Sequence, residues 1–164
     1  MKKKFAIVSI ILAAVTILFF SCTKEVAKLQ GPTDAQMIAW SLDSINKFYF
    51  QNDSVSILAP LGGSPHGPFK MRFNSIVKNA LGSDGRVIPG STLPDSSFIV
   101  KLSYTGNVVT GLAAIFKLNG AWSWGEYSGN GSAAYTSVAG SSGYCISCHG
   151  ASGNRDQTLV STYH

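Results

Sequence analysis

The clearest pattern in the chain is an alternation of residues with a period of two that begins near residue 97. From Phe98 to Tyr104, alternate side chains are predicted to face opposite sides of one strand. Ile99, Lys101 and Ser103 share one side, and the more uniformly apolar residues share the other. The pattern therefore predicts a β-strand with one strongly apolar face.

Two more strands are predicted directly after this one. Gly106 and Asn107 form a turn, and the segment from Val108 to Leu118 is apolar enough for a strand. Asn119-Gly120 is a strong signal for a two-residue hairpin. The strand that follows, from Ala121 to Tyr127, places three side chains on one face. They are Trp122, Trp124 and Glu126. The result is an antiparallel meander, to which residues around Tyr135 and Val138 could add a strand.

Apolar spacing of three and four residues predicts two helices before the sheet. Thr33 and Gln36 match a capping box, and the first helix is expected to run from there to about residue 52. Its apolar positions are Ile38, Leu42, Ile45 and Tyr49, with Met37 and Phe48 beside them. A shorter helix is expected after Asn74 or Ser75. The fold class is therefore α+β: an antiparallel sheet with an N-terminal helix and a C-terminal segment containing Cys-x-x-Cys-His.

The first 21 residues are typical of an export signal. Lysines at residues 2–4 precede an apolar run from Phe5 to Phe20. Phe19-Phe20-Ser21-Cys22 resembles the bacterial lipoprotein box, so lipidation of Cys22 and attachment to a membrane are expected. Ordinary cleavage that leaves Cys22 as a thiol, and an uncleaved anchor, remain as alternatives. Residues 22–32 are interpreted as a tether and residues 33–164 as one domain.

The overall charge does not indicate a nucleic-acid partner. The formal charge of the 164-residue chain is +5, from 13 basic and 8 acidic residues. Removing the three signal lysines leaves 10 basic residues against 8 acidic ones (13 − 3, against 8), a net charge of +2. Such a small excess provides no electrostatic footprint for nucleic acid.

The candidate chemistry lies near the C-terminus, in Cys145-Ile146-Ser147-Cys148-His149. Two cysteines separated by two residues and followed by histidine form the c-type haem attachment signature. Cys145 and Cys148 would form thioethers with haem c, and His149 would bind its iron. A redox-active dithiol and a metal site remain as alternatives, although structural zinc normally requires four ligands.

A sheet followed by a terminal haem motif resembles the cytochrome P-460 family, which includes the beta-type cytochromes c-prime. The similarity covers the chain from about His66 to its end. It is carried by Leu93-Pro94-Asp95, Ile99-Val100-Lys101, Ile115-Phe116-Lys117, Trp122-Ser123-Trp124-Gly125, the Cys145 to His149 motif and Asp156. The chain departs from the family pattern at Leu102, where Glu is frequent, and in the segment Gln157-Thr158-Leu159-Val160.

The resemblance implies a five-coordinate haem with His149 as proximal ligand and the opposite side open to a small molecule. Family members oxidise hydroxylamine and nitric oxide, or bind nitric oxide, and are often homodimers. In oxidising members a strand lysine is joined to the porphyrin, which makes Lys101 the expected cross-link position. An oxidase would pass electrons to a soluble or membrane-bound acceptor. The alternative is a non-catalytic module that binds nitric oxide or transfers single electrons.

The surrounding residues suggest further roles. Trp122 and Trp124 are expected to pack in the core or against the haem. Glu126 is a candidate proton acceptor, with a surface carboxylate as its plain alternative, and Lys101 could equally be a solvated strand lysine. The side chains available as a second axial ligand have no spacing that favours ligation. They are Met37, Met71, His66 and His164. His66, in a Gly- and Pro-rich loop, is expected to be exposed. The second axial position is expected to be open or filled by water, among apolar side chains.

Overall fold

The computed structural model describes residues 31–43, 48–59, 66–129, 136–137, 142–151 and 155–158. The chain divides into two units, Met1–Gln30 and Gly31–His164. The expected signal segment, Cys22 and His164 lie outside the described residues. Within the described part of the chain, no helix is both long and apolar enough to cross a membrane.

The described residues form a six-stranded antiparallel sheet whose strands are adjacent in chain order. The strands are β1 (Phe48–Tyr49), β2 (Phe69–Phe73), β3 (Phe98–Thr105), β4 (Val108–Leu118), β5 (Ala121–Ser128) and β6 (Thr136–Ser137). The helices are α1 (Asp34–Leu42), α2 (Ser75–Ala80) and α3 (Ser142–His149), with a 3-10 turn at Phe50–Asn52. The predicted α+β class and the meander of β3, β4 and β5 are confirmed.

The β4–β5 hairpin is closed by the turn that the sequence predicts. Asn119 and Gly120 both have positive φ, 52° and 74°, as a type I′ turn requires. The carboxylate of Asp95 accepts hydrogen bonds from both turn amides, each at 2.8 Å. The loop that precedes β3 thus stabilises the turn between β4 and β5.

Helix α1 begins as predicted but is shorter than expected. The Thr33 and Gln36 capping box is present. The helix ends at Leu42, and Phe48–Tyr49 is strand β1, paired with the end of β2. The prediction of a helix continuing to about residue 52 is therefore wrong, because ladder hydrogen bonds to β2 hold this segment extended.

The buried side of α1 also differs from the expected one. Met37 and Ser41 are its fully buried residues, whereas Leu42 is 39% exposed. Ser41 donates to the carbonyl oxygen of Met37 at 2.7 Å, and its own carbonyl oxygen accepts a hydrogen bond from Arg72. A guanidinium on the sheet is therefore bonded to the last turn of the helix.

Strand β2 has no counterpart among the predicted elements. It pairs with β3 along its whole length, and Phe69, Met71 and Phe73 are buried on one side. Its alternation is apolar at every second residue, but it covers only five positions. A short strand of this kind is stabilised by its neighbours more than by its own composition.

The sheet has two covered faces, each with its own apolar cluster. On the α1 face, burial of each large side chain contributes about 1.5–3 kcal/mol. Its buried residues are Met37, Phe98, Val100, Leu102, Leu112, Ala114 and Tyr127. The opposite face is here called the motif face because α3 lies beside β5 and its His149 packs on that face. Its buried strand residues are Phe69, Met71, Phe73, Ile99 and Ile115, with Trp122 and Trp124 packed against them.

Candidate functional site

The Cys-x-x-Cys-His motif is helical, as predicted, and forms the second half of α3. Cys145, Cys148 and His149 are spaced three and four residues apart along the chain, so they lie on one side of the helix. The two cysteines are not joined by a disulfide. Gly150 donates to the carbonyl oxygen of Ile146 at 2.7 Å, and a Cβ atom at Gly150 would lie equally close to that oxygen. Only glycine therefore allows the helix to close in this way.

The imidazole of His149 is held by two contacts. Its ring lies edge-on to the Trp124 indole, with centroids 4.8 Å apart and planes at 70°. Its Nδ1 atom lies 3.0 Å from the carbonyl oxygen of Gln157. A carbonyl can only accept, so Nδ1 carries the proton and Nε2 keeps a lone pair. His149 thus has the tautomer that a metal ligand through Nε2 requires.

The sequence predicted that Lys101 shares a strand face with Ile99 and Ser103, and that Glu126 shares one with Trp122 and Trp124. Both predictions are confirmed, and the two sets of side chains lie on the same face of the sheet. Met71, Lys101, Ala113 and Glu126 form one row across β2, β3, β4 and β5. Side chains in one row point to the same side of a sheet. This row lies on the motif face, next to the row that contains Trp124.

Lys101 faces the motif face and is half-buried. Its Nζ atom lies 4.5 Å from the centroid of the Phe69 ring, within the range of a cation–π interaction. Burial lowers the pKa of Lys101 to about 8, and the nearby Cys148 opposes this shift. The alternative of a fully solvated lysine is therefore wrong.

His66 also lies close to the ionisable residues of the motif face. Its Nδ1 atom lies 3.9 Å from Oε1 of Glu126, and its side chain is only 14% exposed, against 40% for Glu126. Burial, with smaller contributions from positive charge at Lys101 and His149, lowers the pKa of His66 to about 4. The expectation that His66 is exposed is wrong. The reason is the unpredicted strand β2, which begins three residues later and ties the loop to the sheet: Tyr104 donates to the Pro68 carbonyl oxygen at 2.7 Å.

The electrostatics of Cys145 connect the motif with the strand residues. Burial raises the pKa of the Cys145 thiol, and the negative charge of Glu126 raises it further. Reactive dithiols have a lowered thiol pKa, so the environment of Cys145 does not favour the redox-dithiol alternative. Burial also lowers the pKa of His149, which keeps the imidazole neutral at physiological pH; its hydrogen bond to Gln157 opposes this shift.

The two tryptophans have different environments. Trp122 donates through Nε1 to the carbonyl oxygen of Asp156 at 2.9 Å. Nε1 of Trp124 is buried and finds no acceptor among the described residues. A buried donor without an acceptor is unfavourable by about 1–3 kcal/mol, so such a group calls for a specific explanation. Among the described residues of this site, Trp124 has a buried donor for which no acceptor is found.

The candidates for a second axial ligand are separated by the fold. Met37 belongs to the cluster on the α1 face and lies on the wrong side of the sheet. Met71 shares the row of Lys101 and is 3% exposed. His66 is the other candidate on the motif side. The surroundings of His149 include ionisable groups at Lys101, Glu126 and His66.

The sequence provides no signal for the contact of His149 with Gln157. Every residue has a carbonyl oxygen, and the tertiary structure alone selects this one.

No family model, curated protein or solved structure matches the chain. Among the residues that the structure describes, no three His, Cys, Asp or Glu side chains are grouped so that they could hold a metal ion.

Proposed function

We propose that this chain is an exported, lipid-anchored mono-haem c-type cytochrome of the cytochrome P-460 type, which binds or oxidises hydroxylamine or nitric oxide. The observation that supports this most is the position of His149. Its helix brings it onto a strand face that also contains Trp124, Lys101 and Glu126. These residues are far apart in the chain. His149, Trp124 and Lys101 are also among the residues that carry the resemblance to the family.

The residues present are suited to holding a haem. Cys145 and Cys148 would form the two thioethers, and the Nε2 lone pair of His149 would bind the iron. The unsatisfied Nε1 donor of Trp124 matches a group that brings its own acceptors, as haem does through its propionates. A structural metal ion held by several side chains has less support, since the described residues contain no such group.

Haem would supply the one-electron chemistry and the coordination position for a small nitrogen compound. The protein residues would supply proton handling. Glu126, which is 40% exposed and lies 3.9 Å from His66, would accept a proton from a substrate and release it to solvent. His66, whose pKa is about 4, remains neutral at pH 7.

Lys101 is suited to the cross-link that the family resemblance implies. With a pKa of about 8, roughly one molecule in ten has a neutral amine at pH 7. A neutral amine is nucleophilic, whereas an ammonium group is not. The second candidate is a module that binds nitric oxide or transfers single electrons. In such a module Lys101 is not cross-linked, and the packing of its amine on Phe69 supports this candidate.

Export and anchoring are proposed from the apolar run of residues 5–20 and from Cys22. Acylation of Cys22 would attach the domain to the membrane surface, facing the periplasm or the cell exterior. An electron acceptor, soluble or in the membrane, would then complete the turnover of an oxidase. A homodimer is proposed from the family resemblance alone.

The absorption spectrum of the ferrous protein, with and without nitric oxide, tests the function. The protein is produced in a host capable of cytochrome c maturation. A high-spin spectrum that changes when nitric oxide is added is expected. Hydroxylamine-dependent reduction of an added acceptor would then separate the oxidase from the binder. A low-spin spectrum that does not respond indicates an electron relay, and a colourless protein overturns the proposal.

A further inference from the structure

A short turn after the motif is tied to the sheet by a buried ion pair. Lys117 lies on β4, and its Nζ atom is 2.9 and 2.7 Å from the two carboxylate oxygens of Asp156. The two side chains are 5% and 10% exposed. Asp156 belongs to a turn at residues 155–158, which closes through a bridge between Arg155 and Thr158.

Asp156 connects this turn to two further parts of the domain. Its carboxylate also accepts a hydrogen bond from the amide of Leu93 at 2.7 Å. Its carbonyl oxygen accepts one from the Trp122 indole on β5 at 2.9 Å. The backbone and side chain of one residue are thus attached to β4, to β5 and to the loop before β3.

The backbone of the turn adopts a conformation that such attachments stabilise. Asp156 and Gln157 have positive φ values, 49° and 56°, which are unfavourable for residues with a side chain by roughly 1 kcal/mol or more each. Thr158 donates to the Arg155 carbonyl oxygen through its amide at 2.9 Å and its hydroxyl at 2.7 Å. Arg155 donates to the carbonyl oxygen of Val87 at 2.5 Å.

The turn has one consequence for the proposed haem site: it presents the carbonyl oxygen of Gln157 to Nδ1 of His149, 3.0 Å away. We propose that the Lys117–Asp156 ion pair is a positioning device, which fixes this carbonyl and thereby the orientation and donor strength of the His149 imidazole. This inference rests on the proposed function. A fixed acceptor on Nδ1 makes Nε2 a stronger ligand.

A contribution to folding stability does not by itself explain why Lys117 and Asp156 form a buried ion pair. Removing two charges from water offsets most of their attraction, so a buried ion pair contributes little net stability. The Asp156 carboxylate, in contrast, accepts from Lys117 through both oxygens and from the Leu93 amide, so its position is closely restricted. The adjacent residue, Gln157, provides the acceptor for His149, so that restriction is transmitted along a single peptide bond.

The test compares Asp156→Asn, Lys117→Gln and Lys117→Arg in the haem-loaded protein. Asp156→Asn keeps an acceptor for the Leu93 amide but removes the charge that binds Lys117. The first two variants should keep covalent haem but show an iron–histidine stretching band shifted to lower frequency, a raised reduction potential and an affinity for nitric oxide changed by about 10-fold. Lys117→Arg should restore the wild-type values, because it keeps the charged partner.

Thr33→Ala is the control, since it removes the cap of α1 on the opposite face of the sheet and leaves residues 155–158 intact. It should lower stability without moving the iron–histidine band. If both Asp156→Asn and Lys117→Gln carry haem with wild-type band and potential, the positioning role is overturned and the proposed function stands. If the Asp156 variant does not fold, Lys117→Gln decides alone. A wild-type protein that carries no covalent haem overturns the proposed function itself.

Discussion

Lys101 and Glu126 lie in one row of the sheet and face the same side, separated by Ala113 alone. Strands are about 4.8 Å apart, so the two backbones are separated by roughly 10 Å. The side chain between them, Ala113, is a single methyl group. His149 of α3 packs on Trp124 in the next row, so Lys101 and Glu126 lie on the face of the sheet that the motif contacts.

The thioether prediction concerns the two cysteines of the motif. Cys145→Ala with Cys148→Ala should abolish covalent haem, because no other described cysteine is available to the porphyrin. Intact-mass measurement of the protein provides the readout. The matched control is Ser147→Ala, which lies between them on an exposed part of the helix and should retain the porphyrin mass. Covalent haem in the double variant would contradict the assignment.

The cross-link prediction concerns Lys101. After proteolysis of the loaded protein, the peptide containing Lys101 should remain on the porphyrin together with the Cys145–Cys148 peptide. Lys101→Gln should release it and reduce oxidation of hydroxylamine at least 10-fold. Lys70→Gln is the control, because Lys70 is paired with Leu102 and donates to the carbonyl oxygen of Ser54, away from the motif face. Retention of the cysteine peptide alone would favour the nitric-oxide binder.

The pH prediction concerns His66, whose pKa falls from 6.5 in the unfolded chain to about 4 in the folded protein. The unfolded state therefore binds more protons between these values, and stability should decrease as the pH is lowered from 6.5 towards 4. The total change should be up to roughly 3 kcal/mol. His66→Gln should flatten the pH dependence of urea unfolding in this window. An unchanged slope would show that His66 is accessible to protons in the folded state.

The hairpin prediction concerns Asp95. Asp95→Ala removes the acceptor of two amide hydrogen bonds at Asn119 and Gly120, so the free energy of unfolding should decrease by about 1–2 kcal/mol. Asp95→Asn, which keeps one acceptor oxygen, should give an intermediate loss. Thermal or urea unfolding provides the measurement. Equal stability of all three proteins would mean that the Asn119-Gly120 turn is stable without the carboxylate.

Features that depend on neighbouring residues could be predicted from the sequence. The Thr33 capping box, the Asn119-Gly120 turn and the helical motif ending at His149 are examples. Another example is the alternation of side chains along β3 and β5, which predicts the residues that share a strand face with Lys101 and with Glu126. Each is controlled by backbone torsions, side-chain spacing or hydrogen bonds within a few residues.

Features that depend on strand pairing could not be predicted in the same way. Strands β1 and β2 are held by their neighbours, and their formation ends α1 early and brings His66 to the motif face. Only pairing across β4 puts Lys101 and Glu126 in one row. The sequence by itself determined the Cys-x-x-Cys-His helix and strands β3, β4 and β5. The tertiary structure alone decided that the carbonyl oxygen of Gln157 meets His149, because a backbone acceptor has no sequence signature and is selected only by the fold around it.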